Sequence, residues 1–273
     1  MYIGVDIGGT KTLAACLDDN GVIQERSKFP TPQSYPEFLR ELAKVVASFT
    51  TKEFRGGCVA VPGRIDREHG VAIACGNLPW RDVPIKADIE RMVHCSIAVD
   101  NDANLAGLSE AMLLKDQFSR VLYVTVSTGI GTGIIIDQKI DPAFEDSEGG
   151  QIEVEYEGKM QTWESFASGR AIVERYNKRA GEITDQATRN AIAHAIAVGL
   201  IDLIATVQPQ VIVLGGSVGH YYERFATPLN AELKKFETPI VPIPEIRGAE
   251  RPDDAVVYGC YDLAKSIYGN ADR

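Results

Sequence analysis

Short apolar runs alternate with turn sequences at the start of the chain. Residues 2–6, 12–17 and 22–29 have the composition of strands, and residues 7–11 and 19–21 between them are rich in glycine and other turn formers. A dinucleotide-binding unit would lead from its glycine turn into a helix, whereas here the turn leads into a second strand. The pattern therefore predicts that the chain opens with three antiparallel strands.

Longer segments carry apolar residues at helical spacing. They predict helices at residues 34–49, 85–93, 102–114, 163–180, 185–207, about 217–235 and 254–268. Ser34 is expected to cap the first of these helices. Further short apolar runs predict strands at residues 57–61, 96–100, 121–126, 134–136, 211–214 and 240–247. Together these elements indicate an α/β protein.

One arrangement of elements occurs twice. A strand, a glycine turn, a second strand and a tight turn begin near residue 2 and again near residue 121. The spacing of about 120 residues indicates a weak internal duplication. We therefore expect two halves of similar topology, with no long linker between them.

The charge balance narrows the classes of partner. The 273 residues suffice for two domains, and 28 Lys and Arg stand against 38 Asp and Glu, a formal net charge of −10. Proteins that bind nucleic acids usually carry a basic stripe, so we expect no nucleic-acid partner. A small anion such as ATP stays compatible with this charge, because backbone amides and helix N-termini bind phosphates.

Cysteine usage and the N-terminus bear on location. Five cysteines are scattered without a closely spaced pair, which favours free thiols in a reducing compartment. The chain begins in a strand, without the basic and apolar segments of a signal peptide, and it has no run of 18 apolar residues. We therefore expect a soluble, cytoplasmic protein without a membrane partner.

Three glycine turns are candidate phosphate sites, since a glycine backbone approaches an anion without a Cβ in the way. Each turn alone is equally well a tight hairpin or a strand–helix junction. Ligands of open α/β sheets bind at strand ends, so we expect the turns to face one crevice. The candidate residues in the turns are Gly8, Gly9, Thr10, Lys11, Thr128, Gly129, Gly131, Gly215 and Gly216. Asp6, at the end of the first strand, is a candidate to hold Mg²⁺ through water.

A polar cluster follows the strand at residues 96–100. Asp100, Asn101, Asp102 and Asn104 lie between this strand and the next helix. Asn101 or Asp102 could simply cap that helix, at about 1 kcal/mol. Alternatively, Asp102 is a general base that accepts a proton from an attacking hydroxyl.

Two further residues have both a structural and a functional interpretation. The Asn77 amide can donate to and accept from ligand hydroxyls, although an asparagine in such a turn is often only a turn residue. Trp80 could pack on the face of a ligand, but a core tryptophan is the expected interpretation.

These motifs resemble the ROK family of sugar kinases, within the actin-like ATPase superfamily. They occur in family order and span nearly the whole chain. The matching segments are residues 6–11 (DIGGTK), 61–66 (VPGRID), 76–80 (GNLPW), 99–104 (VDNDAN), 128–133 (TGIGTG), 165–172 (SFASGRAI) and 211–217 (VIVLGGS).

The resemblance implies a fold and a set of roles. Two actin-like domains, residues 1–115 and 116–253, would close on a sugar with Mg²⁺-ATP between them, and a C-terminal helix at about 254–273 would pack back on the first domain. Gly8–Lys11 and Thr128–Gly131 would serve the phosphates, with Gly215 and Gly216 near the adenosine. Asp102 would be the base, and a homodimer or homotetramer is implied. The implied sugar ligands are Asn77, Asn101, Glu148 and Glu164.

The chain departs from the family at one segment. Many ROK kinases carry Gly-Glu-x-Gly-His followed by a cysteine-rich zinc loop, but residues 147–151 here read SEGGQ and residues 152–164 hold no cysteine or histidine. Structural zinc needs thiolate or imidazole ligands, so we expect no zinc. Gln151 replaces the histidine and keeps a neutral sugar contact. We interpret Glu153, Glu155 and Glu157 as a solvated acidic hairpin.

The leading hypothesis is therefore ATP-dependent phosphorylation of a hexose, glucose or a related aldose or N-acetylhexosamine, at a terminal hydroxyl. The alternatives are a sugar sensor without turnover, an actin-like ATPase with another substrate, and a transcriptional repressor. No basic helix-turn-helix precedes the first strand, which disfavours the repressor.

Overall fold

The computed structural model describes residues 1–269, which form two compact units. Unit 1 consists of Met1–Ser109 and the segment that begins at Asp254, and unit 2 consists of Glu110–Asp253. Residues 270–273, the end of the C-terminal helix expected from the family resemblance, lie outside the described residues. Unit 1 is thus discontinuous in sequence, whereas unit 2 is one segment. Each unit has its own apolar core.

A five-stranded mixed sheet forms the centre of unit 1. Its strands are β1 (Tyr2–Ile7), β2 (Lys11–Leu17), β3 (Ile23–Pro30), β4 (Gly56–Val61) and β8 (Ile97–Asn101). The spatial order is β3-β2-β1-β4-β8. Strand β2 is antiparallel to both β1 and β3, which confirms the predicted opening, and β1, β4 and β8 are parallel.

Parallel pairing aligns acidic residues at one edge of this sheet. Asp6 of β1 pairs in register with Ala60 of β4, which pairs with Asp100 of β8. The carboxyl ends of all three strands therefore meet at the same edge, where the glycine turn after β1 and the polar cluster after β8 begin.

A second, small antiparallel sheet follows β4. It contains β5 (Gly63–Asp66), β6 (Val71–Cys75) and β7 (Arg81–Val83). The sequence pattern predicted no strand between residues 62 and 84, so these three strands were missed. Each of these strands is short and half-exposed, and they lack the long apolar runs that identify buried strands.

Four helices pack in or extend from unit 1. They are α1 (Tyr35–Ser48), α2 (Ile85–Val93), α3 (Asp102–Leu113), which crosses into unit 2, and α9 (Ala255–Tyr268). Their positions agree with the predicted helices to within one or two residues. Ser34 occupies the N-cap position of α1, but its side chain makes no capping bond; instead its carbonyl oxygen accepts from the amides of Glu37 and Phe38.

Helix α9 packs against β1 and β4 at close range. A Cβ placed on Gly4 would lie 3.1 Å from the Cβ of Cys260, and one placed on Gly259 would lie 1.9 Å from the carbonyl oxygen of Leu105 in α3. Glycine therefore permits the backbones to approach at both places.

Unit 2 repeats the sheet of unit 1. Its strand order is β11-β10-β9-β14-β15, with the first three strands antiparallel and the last three parallel, as in unit 1. This common topology confirms the internal duplication. The strands are β9 (Arg120–Val126), β10 (Ile130–Ile136), β11 (Lys139–Ile140), β14 (Val211–Gly215) and β15 (Glu245–Gly248).

Two strand predictions in unit 2 need correction. Strand β10 begins at Ile130, so Gly131 lies in the strand and the second glycine turn is shorter than residues 127–133. Strand β15 covers only Glu245–Gly248, since the preceding residues 240–244 include two prolines, which cannot donate to a ladder.

The helices of unit 2 are more broken than predicted. The segment 163–180 forms α4 (Trp163–Ala167) and α5 (Gly169–Tyr176), because Ser168 is extended and its hydroxyl accepts from the Ala171 amide as an N-cap. The segment after β14 forms α7 (Gly216–Gly219) and α8 (Tyr222–Lys234).

The longest helix of unit 2, α6 (Gln186–Val207), is a core helix. It is the one helix among residues 1–269 that is long and apolar enough to cross a membrane by composition. Half of its most apolar window is buried inside the protein, and the Trp163 indole donates to the Ala195 carbonyl at 3.2 Å. Its apolar residues are accounted for by this core.

A hairpin precedes α4, formed by β12 (Glu153–Tyr156) and β13 (Lys159–Thr162). Its turn residues, Glu157 and Gly158, have left-handed backbone angles. The side chains of Glu153, Glu155 and Glu157 are exposed, as predicted for a solvated acidic hairpin.

Replacing Gly259 by alanine is expected to destabilise unit 1. The added Cβ would meet the Leu105 backbone, which cannot turn aside as a side chain can, so we expect a loss of about 1–3 kcal/mol of unfolding free energy. Urea unfolding measures it. The exposed Ser266→Ala on the same helix is the control and should change stability by less than about 0.5 kcal/mol. Equal stability of Gly259→Ala and wild type would contradict the close packing.

Candidate active site

The turn between β1 and β2 is shaped by close contacts. The Gly8 amide donates to the Lys11 carbonyl at 3.0 Å, and the Thr31 hydroxyl donates to the Gly8 carbonyl at 2.7 Å. A Cβ on Gly9 would lie 2.6 Å from the Cβ of Asn77, so only glycine fits beneath that side chain. Thr10 and Lys11 are exposed. The turn therefore presents a hydroxyl and an ammonium group to solvent, on a rigid backbone.

Asp6 and Asp102 interact electrostatically within unit 1. Burial first, and then the charge of Asp102, raise the pKa of Asp6 to about 7, against a smaller opposing effect of Lys28. The charge of Asp102 disfavours ionisation of Asp6, a bound cation would favour it, and carboxylate oxygens are the ligands that Mg²⁺ prefers. The residues present therefore fit a divalent cation at Asp6.

The buried carboxylate of Asp100 organises the polar cluster. It accepts from Nε and a terminal nitrogen of Arg67 at 3.2 and 3.1 Å. It also accepts from the backbone amide of Asn101 at 2.6 Å and from Nδ2 of Asn104 at 3.0 Å. The residue is 5% exposed. Sequence reasoning included Asp100 in the cluster but did not foresee Arg67, which is 33 residues away.

The start of α3 is capped within the cluster. The Ala103 amide donates to Oδ1 of Asn101 at 2.8 Å and to Oδ1 of Asp102 at 2.9 Å, and Nδ2 of Asn101 donates to the Gly63 carbonyl at 3.3 Å. The capping interpretation therefore holds alongside any catalytic one. The side-chain amide of Asn101 can still form further hydrogen bonds, because its nitrogen has two donors and its oxygen two lone pairs.

Asn77 lies exposed in the loop between β6 and β7. A terminal nitrogen of Arg81 supports this loop by donating to the carbonyls of Trp80 at 2.7 Å and Leu78 at 3.2 Å. The Trp80 side chain is only 2% exposed, and its indole nitrogen donates to the Gln33 carbonyl, as expected for a core tryptophan. Asn77 is thus presented on a supported loop, next to the first glycine turn.

In unit 2, Glu164 binds the second glycine turn. Its carboxylate accepts from the Ile130 amide at 2.8 Å, and a Cβ on Gly129 would lie 2.3 Å from the same oxygen. Arg170 lies 3.7 Å from the other oxygen. The glycine at 129 is therefore required by the approach of Glu164, and Thr128 beside it is exposed.

Glu148 precedes a short 3-10 helix, Gly149–Gln151, of which Gln151 is the last residue. Partial burial, the charge of Glu164 and that of Asp146, in that order, raise the pKa of Glu148, although one side of the residue is open to solvent. Gln151 is exposed, and its backbone amide donates to the Glu148 carbonyl at 2.9 Å. Glu148 and Glu164 are therefore close enough to influence each other, at the start of β10.

The third glycine turn borders a cavity of about 630 Å³ in unit 2. Gly216 has a φ of 71°, and a Cβ there would lie 2.4 Å from the Ser127 hydroxyl and 2.6 Å from the Val126 carbonyl. Gly215 packs on the Tyr123 ring. The cavity is lined by Ser127, Arg179, Ala180, Gly181, Glu182, Gly216, Ser217, His220, Tyr221, Pro252 and Asp253.

The cavity wall is built from residues distant in sequence. Gly181 packs on the Tyr221 ring, over which the Arg224 guanidinium lies at 4.8 Å from the centroid, and the His220 and Tyr221 rings meet edge to face at 4.8 Å. The volume suits a ligand of nucleoside size. Among the lining residues, Gly216 was a candidate from the sequence, and Ser127 and Ser217 belong to the glycine turns. The other lining residues carried no sequence signal.

Comparison with known proteins settles the family. The profile of the ROK family matches residues 2–267, nearly the whole chain. The protein belongs to the ROK family.

Its relatives within the family include sugar kinases. The glucokinase of Streptomyces coelicolor is 26% identical, and the match covers 97% of this chain and 98% of the relative. The N-acetyl-D-glucosamine kinase of Escherichia coli O127:H6 is 28% identical, over 93% of this chain and 95% of the relative.

Solved structures agree in fold. A ROK family glucokinase from Streptomyces griseus, in complex with glucose and AMPPNP, superposes with a TM-score of 0.82 at 26% identity, covering 97% of this chain and 99% of that chain. The ROK hexokinase from Thermus thermophilus has a TM-score of 0.75 at 24% identity, over 98% and 99% of the two chains. The ROK resemblance and the actin-like fold that it implied are thereby confirmed.

The hairpin β12–β13 occupies the sequence position at which many members of the ROK family carry a zinc loop. Within residues 1–269, no group of three or more histidine, cysteine, aspartate or glutamate side chains is placed to hold a metal ion. The Tyr156 ring, at the end of β12, instead stacks on Phe166 at a centroid distance of 4.0 Å. Aromatic packing thus stabilises this segment.

The raised pKa of Asp6 predicts a pH dependence of stability. Between about pH 4 and pH 7 the folded protein holds a proton on Asp6 that the unfolded chain releases, so this group's contribution to the unfolding free energy falls as the pH rises through that window. Asp6→Asn should therefore lose less stability than wild type between pH 4.5 and pH 7, by urea unfolding with EDTA present. The exposed Asp116→Asn is the control and should follow wild type. Identical slopes for Asp6→Asn and wild type would refute the coupling.

Proposed function

We propose that the protein transfers a phosphoryl group from ATP to a terminal hydroxyl of a hexose, glucose or a related aldose or N-acetylhexosamine. The observation that carries this proposal is the placement of Asp102 and Asn101 at the carboxyl end of β8, in the same unit and the same electrostatic field as Asp6 and its glycine turn. A base, amide ligands for hydroxyls and a phosphate turn are the parts that such a transfer needs. Its ROK relatives are named as glucokinase and N-acetyl-D-glucosamine kinase.

Sugar binding is assigned to polar side chains in both units, which we propose as the two actin-like domains. In unit 1 these are Asn77, Asn101 and Asp102, and in unit 2 Glu148, Gln151 and Glu164. Amides and carboxylates together supply the donors and acceptors that a polyhydroxyl ring requires. Gln151 contributes a neutral amide where many ROK kinases carry an imidazole.

Nucleotide binding is assigned to the glycine turns and the cavity of unit 2. Gly216 lies at the cavity wall, so adenosine would bind beside Gly215 and Gly216. Gly8, Gly9, Thr10 and Lys11 in unit 1, with Thr128, Gly129 and Gly131 in unit 2, would bind phosphate oxygens. The relative from Streptomyces griseus was crystallised with the ATP analogue AMPPNP, which supports the choice of donor.

Asp102 acts as the general base in the proposed mechanism. Its carboxylate accepts the proton of the attacking hydroxyl as the new oxygen–phosphorus bond forms, while Asn101 beside it orients the sugar. Asp6 would hold Mg²⁺, which when bound neutralises charge on the phosphates. Binding of the cation would also stabilise the ionised form of Asp6 against the neighbouring charge of Asp102.

The setting proposed for this activity is the cytoplasm, with the protein as a homodimer or homotetramer. The scattered cysteines support the compartment: Cys16, Cys58, Cys75 and Cys260 are buried free thiols. Small-molecule sugar and ATP are the proposed ligands, without a nucleic-acid or membrane partner.

A coupled assay of ADP release over a panel of hexoses and N-acetylhexosamines tests the activity. We expect turnover with at least one of them, and a loss of about a hundred- to ten-thousand-fold in kcat for Asp102→Asn, because the base is removed while the shape is kept. Sugar binding by calorimetry should persist in that variant. The exposed hairpin variant Glu155→Gln should behave as wild type.

Two results would contradict these assignments. Near-normal turnover of Asp102→Asn would remove Asp102 as the base. Sugar binding without turnover by the wild-type protein would favour the alternative, a ROK sugar sensor.

Gly216→Ala should weaken ATP use. The residue would need both a left-handed φ and room for a Cβ against Ser127 and Val126, so the turn must move and the KM for ATP should rise at least about tenfold. Gly158→Ala is the matched control: Gly158 has a φ of 76° but nothing within 4 Å, so it tests the backbone strain alone. An unchanged KM for ATP in Gly216→Ala would place the nucleotide elsewhere.

A further inference from the structure

The turn that joins β5 to β6 contributes a residue to the polar cluster after β8. Arg67 is the first residue of that turn, and its guanidinium binds both oxygens of the Asp100 carboxylate, at 3.2 and 3.1 Å. The side chains are 18% and 8% exposed, respectively. This pair differs from the surface ion pairs of the chain, such as Arg26–Asp254, whose arginine is 59% exposed.

A buried pair of this kind fixes geometry. Exposed pairs contribute little, whereas removing one partner of a buried pair leaves a charge without compensation and is costly. The two parallel bonds from one planar guanidinium also fix the orientation of the carboxylate, which a lysine ammonium cannot do. Arg67 therefore determines how the Asp100 carboxylate is turned.

The Asp100 carboxylate is bonded to residues on both sides of Asp102, to the main chain of Asn101 and to the side chain of Asn104. One of its oxygens accepts from the Asn101 amide at 2.6 Å and from the Asn104 side chain at 3.0 Å. Asn101 and Asn104 bracket Asp102 in sequence, so one carboxylate anchors the segment before and after it. The Gly63 carbonyl in β5 holds the Asn101 amide group as a second anchor.

We propose that Arg67 is a positioning residue for phosphoryl transfer, which holds the Asp102 base in place through Asp100. This role rests on the proposed hexose phosphorylation. In this role Arg67 acts through its bonds to Asp100, so its removal should affect the rate of transfer more than the binding of substrates. A displacement of about 1 Å at a reacting group can cost a hundredfold in rate.

The first test compares rate with binding. Arg67→Met should lower kcat about 10- to 100-fold, while the dissociation constant of the sugar and the KM for ATP change by less than about threefold. Arg67→Lys keeps the charge but not the paired bonds, so its kcat should lie between those of the wild type and Arg67→Met. Arg91→Met, which breaks the pair between the exposed Arg91 guanidinium and Asp88 on α2, is the matched control and should keep the wild-type kcat. Equal losses in kcat and in sugar affinity would overturn the positioning role.

The second test asks whether Arg67 acts through Asp100. Adding Asp100→Asn to Arg67→Met removes the uncompensated buried charge, so the double variant should recover part of both kcat and the unfolding midpoint. Guanidinium at non-denaturing concentration should restore part of the activity of Arg67→Ala, and methylammonium should not. If the losses in kcat of the two single variants multiply in the double variant, or if guanidinium does not restore activity, Arg67 does not act through Asp100.

A readout without turnover separates this inference from the proposed function. Hydrogen exchange of the segment 97–104 should accelerate in Arg67→Met and not in Arg91→Met, because the Asn101 amide loses a fixed acceptor. Unchanged exchange would overturn the inference even in an active kinase. If the wild-type protein phosphorylates no sugar but exchange is faster in Arg67→Met, the anchoring of residues 97–104 by Arg67 stands and only the proposed reaction is rejected.

Discussion

The parallel pairing of β1, β4 and β8 is the constraint on which the chemistry of unit 1 depends. It sets Asp6, Ala60 and Asp100 in one row, so that the turn after β1 and the start of α3 emerge at the same edge. A shift of one residue in this register would turn these side chains to the opposite face of the sheet. The buried apolar residues of β1 and β4 oppose such a shift, since they would lose their core contacts. The packing of the core thereby fixes where the acids lie.

Unit 2 uses the same strand order for different chemistry. At the edge where unit 1 has acids, unit 2 has hydroxyl and glycine residues, with Thr125 paired to Gly215 and Ser127 beside Gly216. Neutral groups avoid repelling the phosphates of a nucleotide, whereas the acids of unit 1 suit a base and a cation ligand. The duplication thus supplied two similar frames whose strand ends have diverged in charge. Glu164 is the exception, and its carboxylate is occupied by the Ile130 amide.

The sequence was a good guide to elements with strong local patterns and a poor one to contacts between distant segments. The antiparallel opening, α2 and the repeated topology followed from apolar runs and turn residues. The strands β5 to β7 were missed because they are short and partly polar. The break at Ser168 was missed although the pair Ser168-Gly169 disfavours a helix interior, because apolar residues at helical spacing continue on both sides of it. In the site, acids and glycines stood out by residue type, whereas Arg67, Arg81 and Tyr221 did not. Their roles arise from partners far along the chain or from a cavity wall that only the fold assembles.

The position of α9 has a consequence for biosynthesis. This helix covers β1 and β4, the first and central strands of unit 1, yet it is encoded at the other end of the chain. Unit 2 is a single segment that is synthesised in full before α9 is made. The apolar surfaces of β1 and β4 that α9 covers therefore remain without this helix until residues 255–268 have been synthesised. A nascent chain arrested before residue 255 would expose these apolar surfaces, and surfaces of this kind are what chaperones bind.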